Sequence, residues 1–240
     1  MHVKSFRRAI ILAVALVAST LSLVTGTTTA AHAAAYTTKP YLQRSTTLVQ
    51  HGSASYGKVT LTAGVGLVEA PGYDANRGTV QVQRQIVGQT AWSTIYTADL
   101  AANFHPSWTF APTYSASYRV VYSGYSDASN SFGAATGGSY RVNVARNLHD
   151  NYRSSTRTFY GKVSPKYAGR AIVIQKSTCA RPRLASCRWG AYKTIRTNST
   201  SNFSLRLPVY RTKTHFRAVI AASNGYVKSF SNYYVSTWRS

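Results

Sequence analysis

The only two cysteines of the chain, Cys179 and Cys187, stand in the stretch KSTCARPRLASCRWG (Lys176–Gly190), with Arg181, Arg183 and Arg188 beside them. Thiols and guanidiniums this close admit a redox site, a metal site, an anion site or a covalent staple. A structural zinc site uses four ligands, and after Asn151 the sequence adds only His215 to the two thiols. A reactive thiol needs a base partner and a reducing compartment. Arginine forks pair bidentately with phosphate, sulfate or carboxylate groups, and Lys193 and Arg196 extend the same basic run. Trp189 and Tyr192 offer rings that stack on sugars or bases. The pattern predicts a polyanion-binding loop around Arg181, Arg183, Arg188, Lys193 and Arg196, with Trp189 and Tyr192 as stacking residues; a stapled loop with incidental charge is the competing reading.

Other chemistry is sparse. A glycosidase needs paired carboxylates, and no acid follows Asp150. Glu69 and Asp74 share the loop VEAPGYDANRG, where turn chemistry competes with weak calcium binding. Asp99 and Asp127 read as turn residues. The nucleophile elbow, the zinc-protease helix and the phosphate-cradling glycine loop are absent. A Ser-His-Asp triad assembles only in space, so His51, His105 and His149 leave it open. No cofactor or metal is expected, and the chain reads as non-catalytic.

The compartment decides the cysteine question. Lys4, Arg7 and Arg8 precede an apolar run from Ala9 to Val24, and Ala31-His32-Ala33 fits a signal-peptidase site. Those parts in that order describe a secretory signal, and the run is shorter than the about 20 residues of a membrane span. An even cysteine count in an exported chain predicts a disulfide. Closing so short a loop contributes about 2–3 kcal/mol at most.

Charge gives the main functional clue. The 240 residues carry 28 Lys and Arg against five acids, and from Asn151 onward 17 basic residues meet none. Such a polycation attracts anionic polymers through fields that salt screens. Hydrophobic residues still make up 44% and aromatics 12%, with 18 tyrosines, so the chain folds rather than staying disordered.

The elements that must position these groups are strands. Val59, Leu61, Ala63 and Val65 alternate with polar or small residues, as do Val80 and Val82, Trp108 and Phe110, Tyr118, Val120 and Tyr122, and Tyr140, Val142 and Val144. That alternation, broken by Gly, Ser, Asn and Pro, predicts half-buried strands, with Trp92 and Trp108 at core-facing phases. The second half echoes the first: YGKV at Tyr56 and Tyr160, GTVQVQR at Gly78 with GRAIVIQK at Gly169, WSTIYT at Trp92 with YKTIRT at Tyr192, Asn103-Phe104 with Asn202-Phe203, and Tyr118-Arg119 with Phe216-Arg217. Five matches in one order predict a duplicated unit. They also place the cysteines in an eight-residue insertion between two strands. Tyr226, Phe230, Tyr233 and Tyr234 mix with Lys228 near the end, one face core and the other surface. Trp238 is a further candidate ring.

The run SPKYAGRAIVIQKSTC…CRWGAYKTIRTNSTSNFSLRL, followed by HFRAVIAASNGYVKSFSN, resembles a bacterial immunoglobulin-like repeat of secreted actinobacterial proteins. The resemblance covers Tyr160–Tyr234 well and Tyr56–Val144 more loosely. It implies a sandwich fold and a structural, surface or carbohydrate-associated role rather than an activity. The expected architecture is all-β: signal peptide 1–33, leader 34–44 that is either ragged or a first edge strand, first immunoglobulin-like sandwich 45–146, polar linker 147–154 without a large shared core, and a strongly basic second sandwich 155–240. The expected function is a secreted interaction module held by charge to wall teichoic acid, acidic polysaccharide or extracellular nucleic acid. A glycan-binding module is the alternative, and a small hydrolase the remoter one.

Overall fold

The computed structural model describes residues 33–231 and 235–237. The expected signal segment, apart from Ala33, lies outside the described residues, as do Tyr233, Tyr234 and Trp238. The first run of strands is β1 (Ala34–Tyr36), β2 (Thr38–Arg44), β3 (Leu48–Gln50), β4 (Val59–Leu67), β5 (Thr79–Ile86), β6 (Ser93–Asp99), β7 (Ser107–Phe110), β8 (Ala116–Tyr122), β9 (Tyr125–Ser126), β10 (Asn130–Phe132), β11 (Ala135–Thr136) and β12 (Tyr140–Ala145). The second run is β13 (Asn147–Arg153), β14 (Thr158–Ser164), β15 (Ala171–Ser177), β16 (Gly190–Arg196), β17 (Asn202–Arg206), β18 (Thr214–Ile220), β19 (Ser229–Phe230) and β20 (Val235–Thr237). No helix among the described residues is long and apolar enough to cross a membrane.

Each run folds into a two-sheet sandwich. In the first, β2-β4-β7 faces β3-β12-β8-β5-β6; in the second, β13-β14-β17 faces β16-β15-β18, with β19 and β20 both paired to β18. Leaving aside short β3 and β11 and the small separate sheet β1-β10-β9, both units put their first, second and fifth strands in one sheet and their fourth, third, sixth and seventh in the other. This is an immunoglobulin-like arrangement. Alternation drives it: β8 buries Ala116, Tyr118, Val120 and Tyr122 while Ser117, Arg119 and Val121 face out. One apolar face per strand is removed from water only when two sheets close on each other. Phe159, Phe203 and Phe216 fill the second core, where Phe159 and Phe203 meet edge to face at 5.5 Å. Gly161 leaves room for that packing, because a Cβ there would sit 2.8 Å from the Phe203 ring.

Several expectations are corrected by strand pairing. The leader takes the edge-strand alternative rather than the ragged one: Ala34–Tyr36 runs parallel to β10, and β2 pairs with β4 along its whole length at the edge of its sheet and buries Leu42. The linker is a strand too, since β13 pairs antiparallel with β14 from Asn147 to Arg153. His149 therefore belongs to the second sandwich. The two YGKV copies are not equivalent. Lys162 lies opposite the first residue of β17, whereas Thr62 holds that place against β7, so Val163 matches Ala63 rather than Val59. By the same pairing Phe203 matches Trp108, and Phe104 is exposed.

The two hydrophobic cores stay separate, and a small joint ties the sandwiches, with Tyr226 alone among the described residues crossing into the first core. β12 passes into β13 through Arg146 alone, and the turn before β19 folds back onto the first sandwich. Ser115 N donates to Gly225 O (2.8 Å), Val227 N to Val144 O (2.9 Å), and Arg146 N to Ser229 Oγ (2.8 Å). Tyr226 is counted in the first core, edge-on to Tyr114 and His51. The Arg146 guanidinium lies 4.1 Å from the Tyr226 ring and 4.7 Å from the Tyr167 ring, with Nη1 donating to Pro165 O. Burial pulls its pKa below the ordinary arginine value.

Tyr118 and Tyr122 separate two effects of a buried phenol. Both pKa values are pushed up to about 12, chiefly by burial. Tyr122 OH donates to Arg77 O (2.7 Å), whereas Tyr118 OH finds no partner among the described residues. Denaturant unfolding should therefore show Tyr122→Phe less stable by about 1 kcal/mol and Tyr118→Phe unchanged or more stable. Equal losses in both would contradict the placement of these hydroxyls.

Candidate functional site

The loop between β15 and β16 carries the two cysteines, joined as a disulfide with Cα atoms 5.8 Å apart. Its base is tied to the sheet: Cys179 N donates to Ser177 Oγ (3.2 Å), and that hydroxyl lies 3.1 Å from Cys187 Sγ. Turn bonds from Leu184 N to Arg181 O and from Cys187 N to Leu184 O shape the tip. Cys187 is buried, and Arg181, Arg183 and Arg188 are exposed around it.

The loop delivers Trp189 to the outer face of the second sandwich. There Arg217 of β18 lies between two rings, 4.2 Å from Trp189 and 4.6 Å from Phe230, and its Nε donates to Gln175 Oε1 (2.9 Å). Lys228 stands 5.4 Å from the Phe230 ring. Strand parity explains the row. Gln175 and Arg217 are directly opposite, and Phe230 pairs with Val219, two residues on from Arg217 and on the same face. The rings shed water from the guanidinium faces without removing the charge.

The first sandwich holds the same motif at lower charge. Arg119 lies 4.2 Å over Trp92 and donates through Nε to Gln83 Oε1 (3.0 Å). Trp92 is thus on the outer face, not in the core as its phase predicted; Trp108 does pack against the core margin, on Tyr96 and Phe110. The equivalence also corrects the alignment. Each hairpin bulges after Val82 or Ile174, and Gln83 pairs with Thr94 as Gln175 pairs with Ala191. Trp92 therefore corresponds to Trp189 rather than Tyr192. The cysteine loop is longer by five residues, not eight, counted from the matched Gln to the matched Trp.

The remaining candidates separate. Tyr192 turns inward and meets Phe216 edge-on at 5.4 Å, so it is no stacking platform. Lys193 is exposed but lies opposite Ile174, on the inner-facing phase of β16. Arg196 lies opposite Ala171 on the outer phase, with Nη1 donating to Gly169 O (2.8 Å). Trp189 thus shares the outer face with Arg217, Phe230 and Lys228, at the end of the loop that carries the exposed arginines, while Tyr192 and Lys193 do not share it. Arg217 was legible only as the Arg after an aromatic in the repeat, and nothing in sequence paired it with Trp189.

Among the carboxylates, Glu69 accepts from Thr37 N (2.7 Å), Asp99 from Ala101 N (2.9 Å), and Asp127 from Ser129 N (2.8 Å) and Asn130 N (2.7 Å). Asp74 accepts from Tyr41 OH (2.6 Å) and contacts His105 Nε2, while Tyr41 OH is 3.0 Å from the same nitrogen. Glu69 and Asp74 thus serve separate partners. Burial and Asp74 push the Tyr41 pKa up to about 12, which keeps that phenol protonated. A Cβ on Gly64 would overlap the Tyr41 ring, so the glycine fixes this cluster on the sheet.

No family model matches the chain, and no curated protein matches it. Among solved structures the chain is similar to the human OSCAR ligand-binding domain at 15% identity, covering 81% of this chain and 96% of that one, with a TM-score of 0.30. The fold assignment rests on the strand order described above.

Two outcomes follow for stability. Replacing both Cys179 and Cys187 by Ser should lower unfolding stability by about 2–3 kcal/mol, read by denaturant titration; no loss would mean the loop holds itself. His51 and His215 both sit below the ordinary histidine value, through burial first and then the charge of Arg146 or Lys213 respectively. Their neutral forms are favoured by folding, so this stability is present above a pH of about 6.5 and lost as pH falls below it. Tm should fall on acidification from pH about 7 to about 5, and His215→Gln should flatten that fall.

Proposed function

We propose that the chain is a secreted, non-catalytic binding module that holds an anionic saccharide polymer, of the teichoic acid or acidic polysaccharide kind, on the outer face of its second sandwich. One observation carries the reading: Arg217 held between Trp189 and Phe230, with Lys228 at one end of the row. The exposed Arg181, Arg183 and Arg188 belong to the loop that presents Trp189. From Asn147 onward the sole acid is Asp150, which is buried. A positive face without exposed carboxylates attracts a polyanion and does not pair with itself. Saccharide is favoured over single-stranded nucleic acid because base stacking uses open aromatic faces, and Trp189 and Phe230 each spend one face on the guanidinium. The apolar N-terminal run and the disulfide support export.

The test is binding to purified wall teichoic acid and to polygalacturonate across a salt series. Wild-type affinity should fall steeply with salt. The Arg181→Ala/Arg183→Ala/Arg188→Ala triple variant and the single variant Arg217→Gln should each weaken binding about tenfold, or about 1.4 kcal/mol, with Tm unchanged in the triple. Unchanged affinity in both variants would remove this face from the function. Tighter binding to single-stranded nucleic acid would replace the saccharide. Binding to neutral glycans that persists at about 1 M salt, where the Debye length is near 3 Å, would replace the electrostatic reading.

A further inference from the structure

The second sandwich has another outer face, on the sheet β13-β14-β17, which the loop and the Arg217 row do not reach. Register places three rows of side chains there: His149, Lys162 and Asn202; Asn151, Tyr160 and Ser204; Arg153, Thr158 and Arg206. The alternate residues Leu148, Phe159, Val163, Phe203 and Leu205 point into the core, so these nine point away from it. His149, Arg153, Tyr160, Lys162, Asn202 and Ser204 line a hollow of about 480 Å³, within the range of small-ligand sites.

The chemistry of the hollow is specific. Tyr160 stands in the middle row, half-buried, with the Arg153 guanidinium 5.7 Å from its ring. Register sets three permanent cations, Arg153, Lys162 and Arg206, in the rows beside the ring, with the neutral groups Asn151, Ser204 and Asn202; Arg206 and Asn151 flank the hollow rather than line it. No described carboxylate pairs with Arg153, Lys162 or Arg206. Asp150 is buried on the other side of β13. A planar ring flanked by amide and hydroxyl groups takes the apolar face and hydroxyls of a sugar. Cations at both ends of the ring take acidic substituents on that sugar. Three strands span about 10 Å at the usual strand separation, and the three rows run about 14 Å along them, a footprint for a short saccharide stretch.

We infer that this face is a second binding site for an anionic saccharide, so that one chain grips two polymer strands, one on each side of the second sandwich, and bridges them. The inference rests on the proposed saccharide-polymer reading and adds the bridging. The two outer faces of a sandwich point in opposite directions across a core about 10 Å thick, so a short oligomer does not cover both at once.

Isothermal titration of the full mature chain with tetragalacturonate, and separately with a glycosylated polyol-phosphate oligomer, reads the number of sites and tells carboxylate from phosphate. Light scattering with the long polymers reads bridging, with the protein confirmed monomeric. Wild type should take two oligomers per chain and cluster long polymer. Tyr160→Ala, and Arg153→Gln with Lys162→Gln, should each take one oligomer, still bind polymer, and need about tenfold more protein to cluster it. The charge variant keeps the ring, so it remains decisive if Tyr160→Ala unfolds. One oligomer per wild-type chain, with clustering unaltered in the Arg153/Lys162 variant, overturns the second site while leaving the first. A neutral oligosaccharide matching the anionic one at this face overturns the anionic assignment. No binding of any oligomer or polymer to wild type fails the earlier reading instead.

Discussion

Cations in this molecule rest on aromatic rings where other proteins would use carboxylates. Arg44 lies over Tyr140, Arg119 over Trp92, Arg146 between Tyr167 and Tyr226, Arg153 over Tyr160, and Arg217 between Trp189 and Phe230, all at 4.1–5.7 Å. Lys176 lies 5.1 Å from Tyr210. With 28 basic residues and five acids, ion pairing has too few partners, and Asp99 and Asp127 are occupied with turns, Asp74 with the Tyr41–His105 cluster and Glu69 with the Thr37 backbone. The negative face of a ring is a weak counter-charge, worth about 0.5–1 kcal/mol at an exposed site and about 2 when desolvated. It steadies a guanidinium without cancelling its field. The abundance of tyrosine and the excess of charge are two sides of one constraint.

The joint shows that constraint at its tightest. Arg146 is 3% exposed, and a buried guanidinium normally needs a carboxylate or a full set of acceptors. Two tyrosine faces and the Pro165 carbonyl take part of that role, with Nε left without an acceptor among the described residues, and the rings come from different turns of the second sandwich. Because β12 enters β13 at this residue, the cation fixes the course of the chain where the sandwiches meet. Backbone bonds from Ser115 and Val227 close the seam. The cost of burying that charge sits where both units contribute to its environment.

Much of the architecture was legible because a strand needs only local alternation. Val59 to Val65, Val80 with Val82, and Tyr118 to Tyr122 face the core as their period of two requires. Alternation weakened where exposure is unequal. β13 reads as a polar linker because its outer residues, His149, Asn151 and Arg153, are all hydrophilic, and Asp150 occupies an inner position. β2 reads as a leader because Lys39, Gln43 and Arg44 mask Leu42. Trp92 has a core-facing phase in the linear pattern, but the bulge after Val82 shifts β6 by one residue and turns that phase outward, as a one-residue slip must.

By itself the sequence determined the all-β class, the sandwich made of strands with one apolar face, the cysteine pairing, and a second half that carries positive charge without exposed acid. These follow from residue type and near-neighbour spacing, which act along the chain. Only the tertiary structure decided which cations share a face. Trp189 is a sequence neighbour of Arg181, Arg183 and Arg188, but Arg217, Phe230 and Lys228 come to its face through pairing across 28 to 41 residues. Tyr160 was visible only as part of a repeated tetrapeptide, and it gained its ring of donors from β13 and β17. Side-chain direction in a sheet is set by register, and register is fixed by long-range hydrogen bonds and bulges that no local pattern records.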